Sequence, residues 1–223
     1  MNTISHRRNA LDRHHVSACL LALCISCVIG CGVNLGPRQQ APESQTYTLE
    51  YPPPQPKDVS PLPGILRVEA FESIPIYRSD NIVYREGAFR RESYRYHKWQ
   101  TPPSEMITFL LIRDFRAAGA FKAVLSPNSL LAPTLTLEGG IEEFLEEATP
   151  KGWIAVLTLN ATLTSEYRPR EGRTVMFQRT YSEREPCRAN TPGALSEAMS
   201  RAMSRISAQI LNDIYQVAAT RSP

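Results

Sequence analysis

The stretch WIAVLTLNATLT, residues 153–164, alternates apolar and polar side chains more cleanly than any other part of the chain. Trp153, Ala155, Leu157, Leu159, Ala161 and Leu163 point one way, and Thr158, Asn160, Thr162 and Thr164 point the other. A period of two belongs to a β-strand, and this division predicts a strand with one face on a core and one in water. Just upstream, residues 134–147 begin with the same alternation, and Gly139-Gly140 predicts a bulge within them. Downstream, a polar turn over 167–173 leads into RTVMFQRTYSE, residues 173–183, which predicts a hairpin partner. Thr191 then caps a helix over 192–219 that Pro192 begins. Its apolar stripe is Leu195, Met199, Ala202, Ile206, Ile210, Ile214 and Val217, spaced three or four apart.

The region before this core follows the same two periods. Residues 65–71 alternate in part and read as a strand. Residues 81–86 (NIVYRE) and 91–97 (RESYRYH) read as a hairpin around Gly87, with Tyr94 and Tyr96 on one face and Arg95 and His97 on the other. Thr101 as N-cap, proline in the first turn and Glu105 behind it predict a helix that stops at Gly119. Ile107, Leu110, Leu111, Phe115 and Ala118 form its buried side, yet Asp114 falls among them. Either that carboxylate finds a partner there or the helical register differs. Strands, helix, strands, helix predict an α+β domain over residues 65–219, a largely antiparallel sheet with two main helices packed on one face.

The 223 residues suffice for one good-sized domain. Apolar residues make up 42% and charged residues 21%, an ordinary balance for a globular chain. The net charge of +3 is carried largely by Arg7, Arg8 and Arg13, and the remainder is nearly neutral. Nothing here resembles the concentrated basic face of a nucleic-acid binder.

Residues 1–30 have the layout of a secretory signal. A polar, basic HRRNALDRHH (6–15) precedes an apolar run from Val16 to Ile29. That run is short beside the roughly 20 residues of a membrane-spanning helix, and a retained anchor is the alternative reading. Four of the five cysteines lie in or beside it, at Cys19, Cys24, Cys27 and Cys31. Cys24 and Cys27 form a C-x-x-C but have no further ligands on a fold, so they read as apolar filler rather than a zinc site. Val28-Ile29-Gly30-Cys31 resembles the lipobox of bacterial lipoproteins. That resemblance implies cleavage before Cys31 and a covalent lipid on its thiol, with Cys27 as the second choice. Gly32, in place of an aspartate after the cysteine, implies the outer membrane, on its periplasmic face; inner-membrane anchoring is the alternative. Residues 31–64 hold eight prolines and read as a semi-stiff tether in which residues 47–51 (YTLEY) form a short docking strand.

Taken in order, several features resemble one family. They are the lipobox, the Tyr47-x-Leu49 motif, RVEAF (67–71), NIVYR (81–85), Tyr94-x-Tyr96-x-x-Trp99, a proline-led helix ending at AGAF (118–121), and the long terminal helix. The sequence is similar to the auxiliary lipoproteins of ABC-type transport systems, the paraquat-inducible protein C-like group. The resemblance implies a non-enzymatic outer-membrane lipoprotein that works with an MCE-type (mammalian-cell-entry) periplasmic protein, an inner-membrane permease and an ATPase. It implies movement of lipids or other apolar compounds between the membranes. Self-association into a homo-oligomeric ring is a further expectation for such an assembly module. A structural or assembly lipoprotein unrelated to transport is the alternative.

The residues themselves point to no chemistry. There is no G-x-S-x-G, H-E-x-x-H or Gly-rich phosphate loop, and the part after Cys31 holds one histidine, His97. No catalytic residue, metal ligand or cofactor beyond the Cys31 lipid is assigned. Glu142, Glu143, Glu146 and Glu147 read as the solvated face of an edge strand. Cys187 reads as a half-buried thiol. The aromatic and basic stretch 77–99 reads as a packed strand or as a protein interface, with Trp99 the first candidate contact and Tyr94 and Tyr96 beside it.

Overall fold

The computed structural model describes residues 43–55, 62–166 and 172–219. The signal segment, Cys31, Cys27, Gly32 and most of the 167–173 turn lie outside the described residues. Among the described residues there are nine strands: β1 (Gln45–Tyr47), β2 (Leu62–Val68), β3 (Glu72–Ser73), β4 (Asn81–Glu86), β5 (Arg90–Trp99), β6 (Phe121–Leu125), β7 (Leu135–Thr149), β8 (Gly152–Ser165) and β9 (Thr174–Pro186). Two helices, α1 (Pro103–Ala117) and α2 (Pro192–Ala219), complete an α+β fold.

The 153–164 stretch is the spine. β8 pairs antiparallel with β7 on one side and β9 on the other, along almost its whole length. Ala155, Leu157, Leu159, Ala161 and Leu163 are fully buried, as the alternation requires. The opposite face is drier than its threonines suggest, because neighbouring polar chains lie across it. Thr158 bonds Glu143 and Ser182, and Arg173 lies on Thr164.

The sheet is mixed rather than largely antiparallel. On the edge away from β8, β7 meets β2, β3 and β4 in turn, all parallel to it. β1 runs parallel to β5, and β2 to β6. Only β4–β5, β7–β8 and β8–β9 are antiparallel. The cause is connectivity: β2, β3 and β4 follow one another along β7 in the same direction, and α1 carries the chain from β5 across to β6, which lies beside β2 and runs with it. Alternation fixes which face is buried but carries no information on strand direction.

The glutamates 142–147 are therefore not on an edge strand. β7 is flanked on both sides, Glu143 and Glu147 bind Arg85, and Glu146 points inward and is 0% exposed. The register slip falls between Ile141 and Glu143, just beyond the glycine pair. Gly139 answers a different need. A Cβ there would stand 2.2 Å from the Asn160 carbonyl and 2.7 Å from the Phe71 ring.

Both helices bury their stripes in one core with the sheet's inward face. α1 contributes Ile107, Leu110, Leu111 and Phe115, and α2 contributes Leu195, Met199, Ala202, Ile206, Ile210 and Ile214. Thr191 caps α2 through its hydroxyl and the Ala194 N–H, 3.2 Å apart. At α1 the expected cap does not form. Pro102 occupies the N-cap position and no side-chain cap bond is made, while Gly119 ends the helix at φ +62°. α1 turns at once because Pro103 at the first helical position presets φ and has no N–H to leave orphaned.

Candidate docking site at the arm and the sheet edge

Much of the segment expected to be tether is built into the domain. Residues from Glu43 onward belong to the same compact unit as the sheet, and β2 begins at Leu62, ahead of residue 65. β1 is shorter and earlier than the 47–51 strand expected, but it does dock. Leu49 is buried in the core behind it. The arm then crosses α2: the Ser196 hydroxyl donates to the Thr48 carbonyl, and the Glu50 N–H donates to Ser200 Oγ at 3.0 Å. At α1 the Tyr51 hydroxyl donates to Asp114 Oδ2 at 2.8 Å, while Arg113 grips Asp114 Oδ1 and lies 4.4 Å from the Tyr51 ring centroid. Asp114 thus has its partner, supplied by the arm, and the helical register stands. Burial and the Asp114 carboxylate together hold the Tyr51 hydroxyl far above its ordinary pKa.

β5 carries the three residues expected at an interface, and the structure separates them. Trp99 is 1% exposed and packs edge-on against Phe144, 5.2 Å between centroids. It is a core residue, and a contact role on the surface does not fit it. Tyr94 is half-buried, and Tyr96 is 38% exposed. The two tyrosines do not share a face as expected, because the β4–β5 register slips. Val83 faces Ser93 but Asn81 faces Lys98, so β5 carries extra residues through that stretch. His97 accepts or donates a 3.2 Å bond with the Tyr47 hydroxyl and so helps fix β1.

Inside this edge lies an acid that its sequence neighbours disguise. Tyr94 donates to Glu146 Oε2 at 2.6 Å, and Glu146 Oε1 is buried without a partner among the described residues. Burial raises the Glu146 pKa against the opposing pull of the Tyr94 bond. Burial, and then the nearby Glu146, push the Cys187 thiol up to about 11, which makes it a poor nucleophile at neutral pH. Glu147 runs the other way: burial would raise it, but Arg85 and Arg184 hold its carboxylate below the usual range.

The sequence missed Tyr51, Phe89 and the singular position of Glu146. Asp114 on an apolar stripe was the one available signal, and it pointed to a missing donor. Elsewhere, an open groove of about 670 Å³ is lined by Glu69, Glu72, Glu138, Glu142, Arg78 and Asn160. Among the described residues no three His, Cys, Asp or Glu side chains converge as a metal site, and no helix is long and apolar enough to cross a membrane.

The architecture is that of several solved proteins. A crystal structure from Xanthomonas campestris, of the family model DUF330, superposes with a TM-score of 0.71 at 17% identity, covering 80% of this chain and all of that one. An uncharacterized protein gives 0.58 at 13% identity over 76% of this chain and 99% of its own, and a hypothetical protein from Chlamydia trachomatis gives 0.51 at 7% over 71% and 99%. At such identities the likeness is one of fold. No curated protein matches the chain. Residues 47–211 match the model of the ABC-type transport auxiliary lipoprotein component, and the chain belongs to that family. The match begins inside the arm, at Tyr47, in keeping with the arm's place in the domain.

Proposed function

We propose that this protein is a non-enzymatic lipoprotein of the bacterial outer membrane. It is anchored by a lipid on Cys31, and its domain docks an MCE-type periplasmic protein in a system with an inner-membrane permease and an ATPase. The cargo class is lipid or another apolar compound. The observation that carries this reading is the family match across residues 47–211, nearly the whole folded domain. The resemblance of residues 28–31 to a lipobox supports the anchor. More than one acyl chain is needed for stable attachment, since each buried methylene contributes about 0.8 kcal/mol and a single chain holds only marginally.

Two measurements test it. Cys31→Ala should abolish labelling with a radioactive or clickable fatty acid and release the protein from the membrane fraction; unchanged labelling would remove the anchor from Cys31. Pull-down of the intact lipoprotein from solubilised envelopes should bring an MCE-type protein with its permease and ATPase. Recovery of the lipoprotein without any of these, under conditions that keep known envelope complexes intact, rejects the transport role in favour of a structural one.

A further inference from the structure

β1 covers only His97, Lys98 and Trp99 of β5. On the side away from β4, residues Arg90–Tyr96 have no strand beside them among the described residues. Their outward main-chain N–H and C=O groups form an open edge, a template for one more strand. The edge already accepts a strand in parallel, since β1 is one. β1 begins at Gln45, opposite His97, and Glu43 and Ser44 before it lie outside the strand.

The side chains on this edge are unmatched in sign. Arg90 is engaged by Glu86 and Glu92, and Lys98 by Asp80. Arg91 reaches the Tyr77 hydroxyl and Arg95 lies 6.0 Å from the Tyr96 ring centroid, and both are exposed with no carboxylate in salt-bridge reach among the described residues. Arg91, Ser93 and Arg95 are all exposed, with Glu92 and Tyr94 half-buried between them. At about 3.3 Å per residue the arginines lie roughly 13 Å apart along the strand. Exposed aromatics bracket the edge, Phe89 at 96% in the β4–β5 turn and Tyr96 at the far end.

We propose that the Arg90–Tyr96 edge of β5 takes an extended segment of another protein as an added strand, a segment carrying two carboxylates four residues apart that meet Arg91 and Arg95. Main-chain pairing supplies affinity and the charge spacing supplies selectivity, the usual division in strand addition. A phosphate-bearing lipid surface suits the arginines and Phe89, but it offers no alternating donors and acceptors to match the edge. The assignment stands independently of the transport reading.

The test is amide hydrogen exchange on the full-length lipoprotein in detergent. The probes are a synthetic Thr/Val peptide with glutamates at positions i and i+4, the same peptide with lysines, and phosphatidylglycerol vesicles. The acidic peptide at saturation should slow exchange across Arg90–Tyr96 by about tenfold and leave the β9 edge unchanged. The exposed pair Arg91→Glu with Arg95→Glu should transfer that protection to the lysine peptide, and Arg91→Lys with Arg95→Lys should retain it for the acidic one. Unchanged exchange with the acidic peptide, equal protection by both peptides, protection of β9 instead, or protection by the vesicles alone would each overturn the proposal. None of these outcomes bears on which proteins come down with the lipoprotein.

Discussion

Asp114 is 0% exposed, and a buried carboxylate is tolerated only where donors compensate its lost hydration. Here one donor, Arg113, comes from its own helix, and the other, Tyr51, from the arm. Tyr51→Phe should lower stability by about 1 kcal/mol, and Asp114→Ala by about 3 kcal/mol because it strands both donors. Equal urea midpoints for wild type and Asp114→Ala would show that the clasp is decorative. Glu146 gives a prediction with a sign. Its folded pKa is raised, so the folded chain keeps a proton that the unfolded chain releases. The stability this confers is fully present below the ordinary glutamate pKa and is lost as pH rises through the folded value. Glu146→Gln should flatten that decline while its side-chain oxygen still accepts from Tyr94. The check is the urea midpoint measured from pH 5 to pH 8, and an unchanged slope in the variant would exclude Glu146 as its source.

Among elements, the arm has the largest consequence. Leu49, β1 and the Tyr51 clasp all lie before the boundary that proline content suggested. A variant beginning at Pro56 should lose about 4 kcal/mol relative to one beginning at Glu43, from Leu49 burial and the severed polar contacts. Comparable midpoints for the two would mean the arm adds nothing. The proline count concealed this because Pro52, Pro53 and Pro54 follow the docked residues closely and dominate any reading of the segment. β8, β9 and α2 were legible because their apolar residues repeat at two and at three to four, and those periods survive without tertiary knowledge. The direction of β2, β3 and β4 was not legible, since a strand reads the same whether its neighbour runs with it or against it. Trp99 was misplaced for a related reason. A tryptophan that ends a strand looks the same in sequence whether it meets solvent or Phe144. Glu146 has the same side chain as Glu142, Glu143 and Glu147 beside it, and only its inward position under Tyr94 sets it apart.

For the molecule as a whole, membrane assignment rests on a single residue beside Cys31. If Gly32 directs the lipoprotein outward, Gly32→Asp should move it from the outer-membrane to the inner-membrane fraction on a density gradient. An unshifted variant would place the sorting information elsewhere. The parallel pairing of β1 with β5 also has a mechanical side. A load applied at Glu43 would enter at the leading end of β1. The β1–β5 hydrogen bonds would bear it first, and the contacts to Ser196, Ser200 and Asp114, which follow them along the arm, would bear it next. The arm would act as a strain relief, keeping tension applied at Glu43 away from the packing of the core.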